Sequence, residues 1–342
     1  PDQKKATMNR KLTQLISLLA LTCISLSLHA QESAGFSVKK TFHIASPGGW
    51  DYIAVGPNDR LYVPHGTQVN VLNKITGDSV GVIPNTMGVH GVAFMESLGK
   101  GYTSNGRSNN ITVFDLKTLA TLSQIAVGEN PDAIMYEPFT KTIITCNGRS
   151  KDLTLVDPAT EKVVATIPIG SKPETAVSNG KGLLYVNDED KGQIAVVDLK
   201  LNKVVATWPL DAEGPTGLAY DAKYNRLFAG CDKTLVIVDA SKGKVVQKVA
   251  IGNGCDGIGF DPALKLIFAS CGEGVLGVIR QESADKYTAL AQVPTKRSAR
   301  TLVVDETTHA VYLPAADLQP ATDPKARPQM VPGSFQVLVV TR

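Results

Sequence analysis

The sequence predicts an all-β protein: a seven-bladed β-propeller of four-stranded antiparallel blades, with the last blade closed by the N-terminal strand. Three observations carry this reading. One pattern of about 42 residues recurs seven times between Gly49 and Arg342. Each copy holds four short apolar or β-branched runs separated by Pro, Asn, Asp and Gly, which is how strands and turns alternate. The last copy lacks its fourth run, and a spare run precedes the first copy. A four-stranded unit at this period reads as a propeller blade, because stacked neighbours in a ring bury the faces that one blade alone leaves exposed.

The copies begin near Trp50, Val89, Pro131, Pro173, Pro215, Cys255 and Ala299, and from Val89 onward their spacing is 42, 42, 42, 40 and 44 residues. Third strands end Val71-Leu72-Asn73, Val113-Phe114-Asp115, Leu155-Val156-Asp157, Val196-Val197-Asp198 and Ile237-Val238-Asp239. An Asp at that place accepts hydrogen bonds from turn amides, so these four carboxylates are expected to hold turns and not to catalyse. The sixth and seventh copies depart from the pattern with Arg280 and Thr341. In the last copy the chain stops after Phe335–Val340, and Val38–Ile44 supplies the missing outer strand. Pairing the termini in one blade removes two open sheet edges.

Residues 1–30 read as an upstream extension and a secretory signal peptide, and residues 31–342 as one propeller domain. After Met8 come Arg10 and Lys11, an apolar run from Leu15 to Leu28, and Leu28-His29-Ala30 before Gln31. The run is too short for a membrane span, so no transmembrane segment is expected in the mature chain, which would be periplasmic or extracellular. This leader carries four of the 35 basic residues and one of the 32 acidic ones, leaving 31 of each. A mature chain without net charge gives no support to non-specific nucleic-acid binding.

Four cysteines remain after Gln31: Cys146, Cys231, Cys255 and Cys271. Cys255 begins the first strand of the sixth copy and Cys271 ends its second, with the hairpin turn near Ala263 midway between them. Facing residues on antiparallel strands lie within disulfide reach, so a Cys255–Cys271 bond is expected, with Cys231 the main competitor. No Cys/His spacing points to zinc or haem.

The same alignment locates a site. Asp51, His90, Asp132, Glu174, Thr216, Asp256 and Arg300 occupy equivalent positions where innermost strands begin, and should ring one mouth of the central channel. Second-strand ends place His65, Asn105, Asn147 and Asp188 on the same face, followed in two copies by Arg107 and Arg149. Trp50 stands beside the ring, as a packing residue or an exposed anchor. His43 and His309 read as surface histidines. The carboxylates with His90 could hold a hard divalent cation through oxygen ligands; the other reading has them capping backbone amides around water, and no cofactor is expected. One long insertion, 314–334, joins the second and third strands of the last copy. Its length suggests either a flap over the mouth or a mobile loop.

The strings Leu184-Tyr185-Val186-Asn187, Tyr102-Thr103-Ser104-Asn105, Asn147-Gly148-Arg149-Ser150 and Val204-Val205-Ala206-Thr207 resemble the YVTN-repeat, or YncE-like, family of exported bacterial seven-bladed propellers. The resemblance covers the whole mature chain and implies the fold more than an activity, since a fold hosts many functions. Without a nucleophile–base motif or phosphate loop, the expectation is a non-enzymatic module that binds a protein, glycan or small molecule through the polar face. Two alternatives stand beside it. One is a metal-dependent, lactonase- or lyase-like enzyme with His90 as base. The other, implied by the resemblance, is single-stranded nucleic-acid binding through Arg107, Arg149 and Trp50.

Overall fold

Seven antiparallel sheets follow one another along the chain in the computed structural model, which describes Glu32, residues 34–320 and residues 328–342. The expected signal peptide lies outside the described residues. Blade two is representative, with strands Val89–Met95, Lys100–Asn105, Asn110–Asp115 and Thr121–Ala126 in that order from the channel outward. Besides strands, the described residues contain two single-turn 3-10 helices, Glu96–Leu98 and Glu189–Lys191. No helix among them is long and apolar enough to cross a membrane.

The seventh blade is a composite, as the chain ends predict. Its strands are Val303–Asp305, Ala310–Ala315, Gln336–Thr341 and, outermost, Ser37–His43. Val38 pairs with Val340 and Phe42 with Val337. Phe36 and Phe42 are buried, so the strand contributes side chains to the core as well as backbone hydrogen bonds. Blade six departs from the pattern: its outer edge is made of two pieces, Lys286–Ala289 and Val293–Pro294, both paired with Val275–Ser283.

Second and third strands are almost wholly buried, whereas fourth strands such as Lys162–Pro168 are mostly exposed. Middle strands are covered on both faces by neighbouring blades, and the outer strand forms the rim. Tyr62, Tyr102, Tyr185 and Tyr312, at equivalent second-strand positions, are among the largest fully buried side chains. The turn carboxylates behave as expected. Asp115 Oδ1 accepts from the amides of Lys117 and Thr118, and Asp157, Asp198 and Asp239 accept from their own turns.

Carboxylates at the far ends of innermost strands tie blade to blade. Glu137 accepts from Ser178, Asp221 from Gln281, and Asp305 pairs with Lys74. His309 sits in a turn at the surface, as expected, its side chain 38% exposed, and its Nδ1 lies 2.6 Å from Oδ2 of the fully buried Asp261, adding a polar link between blades six and seven.

Candidate functional site

Strand irregularity sets the channel mouth. In blades two, three, four and six the pairing between first and second strands breaks at Val89/Val92, Pro131/Ile134, Pro173/Ala176 and Cys255/Gly257. The ring residues His90, Asp132, Glu174 and Asp256 fall inside these breaks. An irregular stretch of strand can re-aim a side chain, and here each break sets a polar residue at the mouth. In blade one the same place is reached by an isolated bridge, Trp50 to His65, just before Asp51.

The structure brings the whole predicted ring together. A cavity of about 620 Å³ at the mouth is lined by Trp50, Asp51, Asp132, Glu174, Thr216, Asp256 and Arg300. His90 completes the ring, with Nδ1 2.6 Å from Asp51 Oδ2 and 3.5 Å from Asp132 Oδ1. Arg300 pairs with Asp256, lies 3.3 Å from Asp51 Oδ1, and donates to the Trp50 carbonyl at 2.9 Å. Trp50 packs on Phe335 with ring centroids 5.3 Å apart while still lining the cavity, so it serves as packing residue and wall at once.

Sequence reasoning missed two groups here. Lys172 Nζ lies 3.0 Å from Glu174 Oε2 and also pairs with Glu189. Tyr52 crosses the channel, its hydroxyl 3.4 Å from Thr175 Oγ1 of blade four. It lines a smaller cavity of about 170 Å³ together with Gly91, Ile134 and Cys146. Both had a signal in the repeat. Tyr52 stands where the other copies carry Gly91, Ala133, Thr175, Gly217, Gly257 and Thr301, and Lys172 where most carry Gly, Asn or Ser.

The electrostatics are those of an acidic recess. Asp51, Asp132, Glu174, Glu189 and Asp256 line it against Lys172, Arg297 and Arg300. Burial, reinforced by Asp51, pushes the Asp132 carboxyl well above the usual carboxylate range, and burial with the charge of Asp132 does the same to Glu174. Asp256 is raised by burial and held back by Arg300. For His90, burial works downward, but the bond to Asp51 and the charge of Asp132 win and raise it. Tyr52 is raised by burial and by the surrounding carboxylates. Asp132 Oδ1 is buried and accepts no hydrogen bond, with His90 Nδ1 3.5 Å away, whereas Glu174 Oε2 faces the Lys172 ammonium at 3.0 Å.

The second-strand ends do not join this recess. His65 is fully buried, stacked on Phe335 at 3.7 Å, and bonded to Ser46 Oγ and the Gly48 carbonyl; burial lowers its imidazole to about 4. Asn105 Nδ2 donates to Asn110 and Thr112, and Asn147 Nδ2 to Asp152 and Thr154, all within their own blades. Asp188 Oδ2 accepts from Ser171 and Gln193. These four hold loops in place. Arg107 and Arg149 are exposed and lie outside the lining of the cavity.

Cys255 and Cys271 are register partners, and both are buried as free thiols. The base of the insertion forms a ladder, with Gln319 N donating to Gln329 O and Val331 N to Asp317 O, and its Leu318 and Pro328 reach the cavity. Residues 321–327 of that loop, where a flap would extend, lie outside the described residues.

Comparison with solved structures agrees on architecture. The WD40 repeats of RRP9 superpose with a TM-score of 0.74 at 11% identity, over 91% of this chain and 99% of that one. A chain of Kuenenia stuttgartiensis hydrazine synthase gives 0.70 at 15% identity, over 79% and 94%. One from a mitotic checkpoint complex gives 0.69 at 14%, over 82% and 89%. No protein-family model matches the chain, and no curated protein matches it. At such identities the likeness shows the fold alone: this chain is a seven-bladed β-propeller.

Proposed function

We propose that the chain is an exported, non-enzymatic binding propeller of the YVTN-repeat, YncE-like kind, and that it takes a small polar ligand in the channel mouth. The observation that carries this is the mouth cavity itself. Its volume falls within the range of small-molecule sites, and its wall combines Trp50 with charged groups of both signs. The buried Oδ1 of Asp132 lacks a hydrogen bond, an arrangement that costs stability and that a bound ligand relieves. Export is supported by the leader residues alone.

Nucleic acid fits this mouth poorly. Five carboxylates against three cations repel a phosphate backbone, and the two arginines of the Asn-Gly-Arg-Ser loops stand outside the cavity.

A defined panel of monosaccharides, amino acids, polyamines and dicarboxylic acids, screened by thermal shift and then calorimetry, tests the reading. At least one panel member should bind, with affinity falling at least tenfold in Lys172→Ala and in Asp256→Asn. A panel that binds nowhere, or binds with both variants unchanged, would remove the mouth as the ligand site.

A further inference from the structure

The corner of the mouth where blades one, two and three meet is more specific than the rest. Asp51, His90 and Asp132 each offer one ligating atom, and these atoms lie within 4.8 Å of one another. All three come from equivalent places at the starts of adjacent innermost strands: His90 and Asp132 inside the pairing breaks of their strands, and Asp51 between the Trp50 bridge and the strand Ala54–Gly56. Asp132 is 7% exposed, and its Oδ1, the atom turned towards His90, accepts no hydrogen bond. A buried carboxylate oxygen without a donor is expensive to maintain.

We propose that Asp51, His90 and Asp132 bind one divalent transition-metal ion, of the Mn²⁺ or Zn²⁺ class. The proposal deepens the mouth reading by naming an ion as one occupant. Donors about 2.0–2.2 Å from a tetrahedral ion stand roughly 3.4 Å from one another. His90 Nδ1 lies 3.5 Å from Asp132 Oδ1, close to that spacing, and 2.6 Å from Asp51 Oδ2, a hydrogen bond that opens when the ion enters. Imidazole together with carboxylates favours Mn²⁺ or Zn²⁺ over Mg²⁺ and Ca²⁺, which prefer oxygen alone. Arg300 lies 3.3 Å from the other oxygen of Asp51, so it orients that carboxylate without occupying the ligating atom. The proton between His90 Nδ1 and Asp51 Oδ2 leaves to solvent as the ion arrives. Three protein ligands leave at least one position open towards the cavity, where an oxygen atom of a mouth ligand can complete the shell.

The test uses the full chain, dialysed against EDTA and titrated with MnCl₂ while free Mn²⁺ is followed by electron paramagnetic resonance; ZnCl₂ is then added as competitor. One Mn²⁺ per chain, displaced by Zn²⁺, is expected. Asp132→Asn and His90→Gln should each weaken binding at least tenfold, and Asp198→Asn, a turn carboxylate far from the mouth, should leave it unchanged. Asp132→Asn keeps the side-chain shape and relieves charge repulsion, so its melting curve should match or exceed wild type and loss of binding would not reflect unfolding. The inference is overturned if wild type binds neither ion stoichiometrically, or if both corner variants bind like wild type. Ion binding is read without any organic ligand, so failure here leaves the panel experiment standing, and failure of the panel leaves this result standing.

Discussion

Lys74 Nζ lies 2.8 Å from Asp305 Oδ2, joining residues from opposite ends of the repeat array across the seam between blades one and seven. Both side chains are buried, and the Lys74 ammonium also reaches Thr307 Oγ1 and Asp59. The Tyr312 hydroxyl donates to the Lys74 carbonyl at 2.9 Å. This seam is where a ring must hold, because no covalent connection continues from blade seven into blade one apart from the strand at the N-terminus.

Breaking the pair should therefore be costly. Asp305→Asn leaves a buried ammonium facing a neutral amide, and losing one partner of a buried pair costs about 3–5 kcal/mol. Asp59, which is mostly exposed, remains 3.4 Å from Lys74 and offsets part of that, so about 3 kcal/mol is expected by urea unfolding. The cost should also depend on pH. Burial works to raise the Asp305 carboxyl, but Lys74 and the hydroxyls of Thr307 and Thr308 hold it at about 2, below the unfolded value of about 3.9. A depressed carboxylate stabilises the fold above its unfolded value and loses that contribution as pH falls through the folded one. The gap between wild type and Asp305→Asn should be full above about pH 4 and shrink towards pH 2. A gap that stays constant over that range would rule out the ion pair as its source.

The N-terminal strand should matter as much as the seam. Phe42 is 6% exposed, packs in the cluster with Ile44, Leu61 and Tyr312, and occupies the space beside Gly77, where a Cβ would stand 2.2 Å from its ring. Phe42→Ala is expected to cost about 3–5 kcal/mol, the usual range for a buried aromatic. Deleting residues 36–45 should lower the melting temperature by many degrees. If the deletion melts like the full chain, the strand does not close the ring in solution.

Oxidation should join Cys255 to Cys271. The two are opposed in register, which is the spacing that admits a disulfide, and export would supply the oxidising compartment. Cys255 Sγ also packs over Gly230, where a Cβ would stand 2.9 Å from the sulfur, so Cys231 of the next blade remains close enough to compete. Peptide mapping of air-oxidised, non-reduced protein should show the 255–271 link, with stabilisation of about 3 kcal/mol for a loop of this size. A Cys231–Cys255 peptide as the main product would refute the assignment.

The ring was legible in the sequence because repetition reports position directly. Seven aligned copies place Asp51, His90, Asp132, Glu174, Thr216, Asp256 and Arg300 at one point in the blade, and the structure gathers them at one mouth. Polarity alone was a poorer guide. His65, Asn105, Asn147 and Asp188 are as polar as the ring, yet their hydrogen bonds are spent inside their own loops, and a sequence does not show where a bond goes. Tyr52 and Lys172 were hidden for the opposite reason. Each is the odd member of an otherwise small-residue column, and a column invites attention to what repeats. The partner of His309, Asp261, was invisible because it lies 48 residues away in another blade.

The last prediction separates scaffold carboxylates from those of the mouth. Asp157 and Asp198 accept amide bonds from their turns at 2.8 Å. Asp157→Ala and Asp198→Ala should each cost about 0.5–2 kcal/mol, as lost caps do, without affecting anything bound at the mouth. Glu174→Gln should behave in the reverse way. Its carboxyl is buried near Asp132 and raised to about 9 by burial and by that neighbour, so at pH 7 it is already largely protonated, and a neutral amide of the same shape places no new strain on the fold. Lys172 keeps its pair with Glu189 in this variant. Glu174→Gln should therefore melt at or above the wild-type temperature while weakening any ligand held in the mouth. A thermal melt and one binding isotherm on these three variants decide the matter. Were Glu174→Gln to prove the strongly destabilised one, with the turn variants silent, the ring would be scaffold and the mouth would lose its claim as a site.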